Sequence, residues 1–294
     1  MIPVRAYPRQ SMARSTGHIT LIEAMGYLAV WAGFYAVGCV LLVMGIVGVP
    51  IRWRPLAIAM LVTTGTYLLD RVGGWAAMPD RADLASVPRR VRFLRQRMPR
   101  PRSVAVGLLV LGLAFAASEG WLVALIVPAA VLGMMAYGHV PKAGRLKDRL
   151  LLKNAAVAMS LTGMAIVLVM AGSELREPLA WSIAGVVLFV HVLAGAMLCD
   201  LDDRHTDARH GTRTLPNTLG PAWTWWMADA IVIVAGSLLL LAHDQGWIDA
   251  PNATRLAIFP AAAVLLLHLT GPRAVRDLVD VAFPLAVVLA MLNR

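Results

Sequence analysis

The sequence has few charged residues and only two cysteines. Charged residues make up 15% of its 294 positions, whereas a soluble globular domain has about 25%. Cys39 and Cys199 both lie inside apolar stretches, so neither a disulfide framework nor a zinc-binding cysteine spacing is present. No pattern typical of a cleavable signal peptide precedes the first apolar stretch, and no internal repeat is recognisable. The composition therefore excludes a small disulfide-rich secreted protein and argues against an ordinary soluble enzyme.

Long apolar stretches fill most of the chain, which is 59% hydrophobic. A helix of about 20 apolar residues crosses the hydrocarbon core of a bilayer, which is about 30 Å thick. Nine stretches approach this length, and the prolines inside some of them are tolerated in membrane helices. We therefore predict an all-α, multi-pass transmembrane bundle of about nine helices that forms a single domain over residues 1–294. The predicted spans are residues 21–49, 54–70, 103–119, 121–138, 153–172, 179–199, 221–242, 255–270 and 275–292.

Basic residues divide unequally between the two sides of the predicted bundle. With segment 1–18 in the cytoplasm, the far side receives only five of the 27 Lys and Arg residues. Positive residues concentrate on the cytoplasmic side of membrane proteins, so we expect a multi-pass protein of the cell inner membrane with a cytoplasmic N-terminus. This distribution also accounts for the net charge of +10 without nucleic acid as a partner. Three long cytoplasmic loops are expected to form the functional site: residues 71–102, 139–152 and 200–220.

Four aspartates occur within eight residues where the sixth apolar stretch ends: Asp200, Asp202, Asp203 and Asp207. Each Asp costs roughly 2.5–3.5 kcal/mol at the bilayer centre, so these residues must lie near the water interface, bind cations, or both. On a helix, Asp200, Asp203 and Asp207 share one face, whereas Asp202 points roughly the other way. Three carboxylates in one stripe suit Mg²⁺, which takes one or two carboxylates and keeps positions for water and substrate phosphate.

A second acidic position lies at the end of the second predicted span. Asp70 ends this span, Arg71 follows it, and Asp80 and Asp83 come about ten residues later. Carboxylates that face each other across a bundle could hold metal ions on either side of a phosphate. An equally weighted alternative is that Asp70 is a helix-ending residue paired with Arg71.

Basic residues lie at the start of the fifth predicted span and within the first long loop. Lys147 lies in the loop 139–152, and Lys153 and Asn154 begin the next span. Cations here could bind a diphosphate, or they could reflect membrane orientation alone. Polar residues that enter an apolar segment are usually functional, which favours Lys153 and Asn154. In the first loop, segment 87–98 is basic and amphipathic, so we expect it to lie on the headgroups; the alternative is that it covers the site.

Together these features resemble the UbiA superfamily of intramembrane prenyltransferases, nine-helix proteins with aspartate-rich motifs on the loops after the second and sixth helices. The second family motif, D-x-x-D-x-x-x-D, is matched in full by Asp200, Asp203 and Asp207. The following Gly211-Thr212-Arg213-Thr214-Leu215-Pro216 is similar to the family sequence, as is the basic loop from Tyr137 to Asn154. The first motif, N-D-x-x-D-x-x-x-D, keeps Asp70, but Thr66, Tyr67 and Gly74 replace its other members.

The resemblance implies an integral membrane enzyme that moves an isoprenoid chain from an allylic polyprenyl diphosphate to an aromatic or other membrane-associated acceptor, with Mg²⁺ as cofactor. It implies catalytic and metal-binding roles for Asp70, Asp200, Asp203 and Asp207, with Asp80 and Asp83 as substitute metal ligands. The implied substrate-binding residues are Arg71, Lys147, Lys153, Asn154 and Arg213. Two alternatives remain open. One is a membrane terpene cyclase, in which the same ionisation proceeds without an acceptor, and the other is a non-catalytic lipid-binding protein that keeps the fold.

Overall fold

The chain is helical in a computed structural model, which describes residues 19–72, 88–96, 101–138, 150–174, 177–209, 211–272 and 275–292. Within these ranges there are thirteen helices and no strand. They are α1 (Leu21–Tyr27), α2 (Val30–Ile46), α3 (Trp53–Arg71), α4 (Pro88–Gln96), α5 (Pro101–Glu119), α6 (Trp121–Ala124), α7 (Ile126–Gly138), α8 (Leu152–Met170), α9 (Pro178–Arg209), α10 (Leu215–Thr218), α11 (Pro221–Asp244), α12 (Ala253–Thr270) and α13 (Val275–Met291).

Each of the nine predicted apolar stretches forms a helix or a pair of helices. Five helices, α5, α8, α9, α11 and α12, are long and apolar enough to cross a membrane, and α1 with α2 makes a sixth if the bent pair is one span. Three other stretches, at α3, at α6 with α7, and at α13, are helical but fall below that standard of length or hydropathy. The prediction of an all-helical, multi-pass membrane bundle is therefore confirmed, with the number of spans approximate.

The first apolar stretch is bent by 75° between α1 and α2. At the start of α1, the Thr20 hydroxyl accepts a hydrogen bond from the Glu23 backbone N–H, and the Glu23 carboxylate accepts one from the Thr20 backbone N–H. This reciprocal pair is a capping box, which defines where the helix begins. At the break, Ala29 has a φ of 62°, a left-handed conformation that interrupts a helix. The chain therefore changes direction just before α2 enters the bundle.

The second helix forms the centre of the bundle. Most of its residues are buried, and it packs against α3, α8, α9 and α13. Gly38 is needed for the contact with α13, because a Cβ at this position would lie 2.7 Å from the Cβ of Pro284. Small residues allow membrane helices to approach closely where no hydrophobic driving force from water acts between them. Both α9 and α13 contact α2, and they also contact each other, so the end of α9 lies next to the start of α13.

Polar residues cluster at the two ends of the bundle. We define the acidic end by the last turns of α3 and α9 and the first turns of α8 and α13, and we name the other the opposite end. At the opposite end, Arg54 Nη1 lies 3.2 Å from Glu119 Oε1, and Arg52 contacts the second oxygen of Glu119. These ion pairs join the start of α3 to the end of α5.

Candidate functional site

The first turn of α8 surrounds the carboxylate of Asp200 on α9. Lys153 Nζ lies 2.7 Å from Oδ1 of Asp200, and Asn154 Nδ2 donates a hydrogen bond to Oδ2 at 3.1 Å. Asp200 and Asn154 are both buried. Buried charges are stable in proteins only when they are paired and hydrogen-bonded, and this arrangement satisfies both requirements. Two residues that were predicted to bind substrate thus contact a predicted metal ligand.

The start of α13 binds two other aspartates of α9. Asp202 accepts hydrogen bonds from the backbone N–H groups of Val275 at 3.2 Å and Arg276 at 2.8 Å. The Arg276 guanidinium contacts Oδ2 of Asp203 and donates to the Cys199 carbonyl oxygen at 3.3 Å. The first N–H groups of a helix have no partner within the helix, and a carboxylate there also complements the helix dipole. Asp202 therefore caps α13, and Arg276 neutralises Asp203.

Asp207, beyond the apolar part of α9, has a buried oxygen that accepts no hydrogen bond from the described residues. Its Oδ2 is 3.8 Å from Lys153 Nζ, and it is buried with no hydrogen bond to the part of the chain that the structure describes. Burial raises the pKa of Asp207 to about 6, although Lys153 opposes the rise; the like charges of Asp203 and Asp200 add to it. A divalent cation beside Asp207 would stabilise the ionised carboxylate, because opposite charge favours the charged form.

The donor chemistry of this cluster fits a hard divalent cation. Among the described residues, no group of three or more His, Cys, Asp or Glu side chains is arranged to hold a metal ion. Mg²⁺ does not need such a group, because it binds through one or two carboxylates and completes its shell with water and phosphate oxygens. Asp203 and Asp207 are four residues apart on α9, so their side chains are neighbours on the helix surface. This pair meets the requirement of Mg²⁺.

The end of α3 lies at the same end of the bundle. Asp70 is exposed in the last turn of α3. Arg71 donates a hydrogen bond to the Gly26 carbonyl oxygen in α1 and lies within electrostatic range of Arg276. Because Arg276 contacts Asp203, both predicted aspartate motifs are at the acidic end.

The short helix α4 packs against α1, with the rings of Phe93 and Tyr27 5.6 Å apart. Val91 and Leu94 are buried in the bundle, and Arg90, which is also buried, lies within electrostatic range of Asp203. The basic amphipathic segment therefore has its apolar face occupied by protein. Of the two sequence-based alternatives, this arrangement favours a segment that covers the site over one that lies on the headgroups.

Within the described part of the chain, the structure assigns no contact in the site to the remaining predicted site residues. Arg213 is exposed between the buried residues Thr212 and Thr214, in the segment that joins α9 to α10. Lys147, Asp80 and Asp83 lie outside the described residues, so their roles stay predictions.

Sequence reasoning missed three residues of the acidic end: Arg90, Asp202 as a cap, and Arg276. Arg276 is 73 positions away from Asp203, and no local pattern links the two. The sequence signal that could have drawn attention to Arg276 is its place in the first turn of a span on the basic side of the bundle. Such a signal indicates location but does not identify a partner.

The fold and the site together define an integral membrane protein whose helices carry a charged aspartate, lysine and arginine cluster at one end. A model of the UbiA prenyltransferase family matches residues 98–283. This match covers more than half of the chain, and the chain belongs to that family. None of the curated proteins compared with the chain matches it.

Solved structures of UbiA homologs share the fold. The apo structure of a homolog from Aeropyrum pernix K1 has a TM-score of 0.63 and 15% sequence identity, covering 89% of this chain and 97% of that chain. The structure of a homolog from Archaeoglobus fulgidus bound to GPP and Mg²⁺ has a TM-score of 0.60 and 15% identity, covering 92% of this chain and 95% of that chain. At this level of identity the likeness concerns the fold.

Proposed function

We propose that this protein is an integral membrane prenyltransferase that moves an isoprenoid chain from an allylic polyprenyl diphosphate to an aromatic or other membrane-associated acceptor, with Mg²⁺ as cofactor. The observation that carries the proposal is the contact of Lys153 and Arg276 with the aspartates of α9 at one end of an apolar bundle. Such a site combines carboxylates for a metal with cations for a diphosphate. The Archaeoglobus fulgidus homolog bound to GPP and Mg²⁺ is a precedent for these two ligands in this fold.

The carboxylates of Asp70, Asp200, Asp203 and Asp207 are the proposed metal-binding groups, and Asp80 and Asp83 are further candidates from the first long loop. Two observations support this assignment: Oδ2 of Asp207 accepts no hydrogen bond from the described residues, and Asp207 lies one helical turn from Asp203. When bound, Mg²⁺ neutralises negative charge that develops on the leaving diphosphate.

Basic residues of the chain itself act on the same diphosphate. Lys153 and Arg276 are held in place by aspartates before any substrate arrives. Preorganised cations stabilise the charge of the transition state more than that of the ground state, which lowers the barrier. Arg71, Lys147 and Arg213 are further candidates for diphosphate binding, and Asn154 is a candidate for orienting the substrate.

The apolar interior provides the second requirement of the reaction. An allylic cation is destroyed by water, and a closed apolar site excludes water. The isoprenoid chain is itself apolar, so the bundle or the adjoining lipid accommodates it without a desolvation cost.

We further propose that the chain is a single membrane domain of the cell inner membrane and that its N-terminus and the acidic end face the cytoplasm. The distribution of basic residues supports this orientation. Reporter fusions at the two ends of the bundle can test this orientation. A reporter inserted next to Gly120 should be active only outside the cytoplasm, and one at the N-terminus should be active only inside it.

Product analysis with purified protein tests the reaction. The protein in detergent is incubated with Mg²⁺ and radiolabelled allylic diphosphates of several chain lengths, with and without a panel of aromatic acceptors. A prenylated acceptor together with released pyrophosphate is the expected result. A cyclised hydrocarbon formed without acceptor would replace the proposal by a terpene cyclase, and the absence of Mg²⁺-dependent pyrophosphate release would favour a non-catalytic lipid-binding protein.

A further inference from the structure

Asp200 differs from Asp203 and Asp207, the other two aspartates of the stripe, because both of its carboxylate oxygens accept hydrogen bonds from α8. Oδ1 is 2.7 Å from Lys153 Nζ, and Oδ2 accepts a hydrogen bond from Asn154 Nδ2 at 3.1 Å. The Asp200 side chain is only 3% exposed. A cation that ligated Asp200 would have to use a remaining lone pair of a buried oxygen, next to an ammonium group that repels it, or displace that ammonium or the buried amide. A displaced group would lose its partner away from bulk water, which is unfavourable.

Asp203 and Asp207 are arranged differently. Arg276 contacts one oxygen of Asp203, Oδ2, and Oδ2 of Asp207 is buried with no hydrogen-bond partner in the described ranges. Both side chains are also more exposed than that of Asp200, at 25% and 15%. Both side chains are therefore partly exposed, and Oδ2 of Asp207 accepts no hydrogen bond within the described ranges, whereas both oxygens of Asp200 do.

Lys153 is held at a defined position by this contact. Its ammonium lies 2.7 Å from Asp200 and 3.8 Å from Asp207, so it is next to the carboxylates that remain accessible. A free lysine side chain has many rotamers, and fixing one costs conformational entropy. The interaction with Asp200 offsets that cost. Asp200 in turn is held by the side chains of Lys153 and Asn154 in the first turn of α8.

We infer that Asp200 is a positioning residue, which holds Lys153 and Asn154 ready for the diphosphate, while Asp203 and Asp207 bind the metal. This inference rests on the proposed function and narrows it, because it removes Asp200 from the metal ligands. It also separates residues that the sequence presents as equivalent members of one stripe. Metal binding and diphosphate binding should therefore respond to different substitutions.

Two binding measurements on the purified full-length protein in detergent separate these roles. Binding of Mn²⁺ alone is followed through the electron paramagnetic resonance signal of free Mn²⁺, and binding of inorganic pyrophosphate at saturating Mg²⁺ is followed by calorimetry. The variants are Asp200→Asn, Lys153→Gln and the double variant. Asp207→Asn is the reference for loss of a metal ligand, and Asp277→Asn, which removes an exposed aspartate at the same end of the bundle, controls for charge.

The expected result is a split between the two ligands. Asp200→Asn should change Mn²⁺ affinity by no more than about twofold but lower pyrophosphate affinity by about tenfold, because a charge-assisted contact is lost. Lys153→Gln should have the same effect, and the double variant should be no worse than either single variant, because both substitutions break one interaction. Asp207→Asn should lower Mn²⁺ affinity by at least about tenfold, and Asp277→Asn should change neither affinity.

Each single variant leaves one charge of the Asp200–Lys153 pair without its partner and could therefore fail to fold. The double variant removes both charges, so the binding measurements can still be made on it. An equal loss of Mn²⁺ affinity in Asp200→Asn and Asp207→Asn would make Asp200 a ligand and overturn the inference, with the proposed function intact. Wild-type protein that binds neither Mn²⁺ nor pyrophosphate would overturn the proposed function itself.

Discussion

The two ends of the bundle both contain ion pairs, but the balance of charge in them is reversed. At the opposite end, one carboxylate, Glu119, faces two arginines, Arg52 and Arg54. At the acidic end, four aspartates of α9 are contacted by Lys153 and Arg276 and by two backbone N–H groups. At the acidic end the buried Oδ2 of Asp207 also accepts no hydrogen bond from the described residues, which is unfavourable unless a cation compensates it. The comparison therefore indicates that the ion pairs at the opposite end hold two helices together, whereas the acidic end is suited to bind a cation.

The acidic end also joins more of the chain. Its contacts link α8 and α13 to α9, and Arg71 links α3 to α1. Ion pairs that hold separate helices together fix the relative positions of charged groups before a ligand arrives, which is the condition for electrostatic catalysis. The pairs at the opposite end fix only the start of α3 to the end of α5.

Replacing Asp207 should have the largest effect on turnover. Asp207→Asn keeps the shape of the side chain but removes the charge that a metal requires, so we expect Mg²⁺-dependent pyrophosphate release to fall by about 10²–10³-fold. The measurement is a steady-state assay with an allylic diphosphate, and Asp277→Asn is the matched control. If Asp207→Asn turns over near the wild-type rate, the acidic end does not differ from the opposite end in its importance for the reaction.

Replacing Arg276 should lower kcat/KM, but by less than replacing Asp207 does. Arg276→Gln removes the charge next to Asp203 and the contact with the Cys199 carbonyl oxygen. The loss of a charge-assisted hydrogen bond corresponds to about a tenfold decrease in kcat/KM. Arg276→Lys keeps the charge without the planar fork of donors and should recover part of the activity. If Arg276→Gln leaves kcat/KM unchanged, the contact with Asp203 has no role in the reaction.

Replacing Asp202 should mainly change stability. Asp202→Ala removes the acceptor for the first N–H groups of α13, and loss of such a cap costs about 1 kcal/mol. We expect a lower thermal unfolding temperature in detergent and only a small decrease in turnover. Asp202→Asn keeps one acceptor oxygen but places a donating NH2 group where the second oxygen was, so its unfolding temperature should lie between those of Ala and the wild type. An unfolding temperature that does not distinguish Ala from Asn would contradict the capping role.

Replacing Glu119 should have the smallest effect on turnover. Glu119→Gln removes the charged partner of two arginines and so weakens the contact between α3 and α5. We therefore expect a lower unfolding temperature. Assayed well below that temperature, Mg²⁺-dependent turnover should equal the wild-type value, because Glu119 lies at the end of the bundle away from Asp203. A loss of turnover as large as that of Arg276→Gln would show that the two ends are not independent.

The apolar stretches could be predicted from the sequence because their length alone meets the requirement of a membrane span. The helix that carries Asp200, Asp203 and Asp207 could also be predicted, since an i, i+3, i+7 spacing places residues on one face of any α-helix. Even so, the sequence placed the end of the sixth stretch at Cys199, whereas α9 continues to Arg209. The extra turns keep all four aspartates on the same rigid helix.

The partners of those aspartates could not be predicted in the same way. Lys153 and Asn154 were candidates because they are polar residues in an apolar segment, but their contact with Asp200 spans 46 or 47 positions. Arg276 gave no local signal, and Asp202 was placed off the stripe without a role. Contacts between separate helices depend on packing, such as the close approach of Gly38 and Pro284, and packing is not encoded in the periodicity of one segment.

By itself, the sequence determined that the protein is a helical membrane bundle with an acidic stripe, since both properties follow from short-range composition and spacing. The tertiary structure alone decided which cation meets which carboxylate. That assignment depends on distances between different helices, and those distances distinguish Asp200, with both oxygens bound, from Asp207, whose buried oxygen has no hydrogen-bond partner in the described part of the chain.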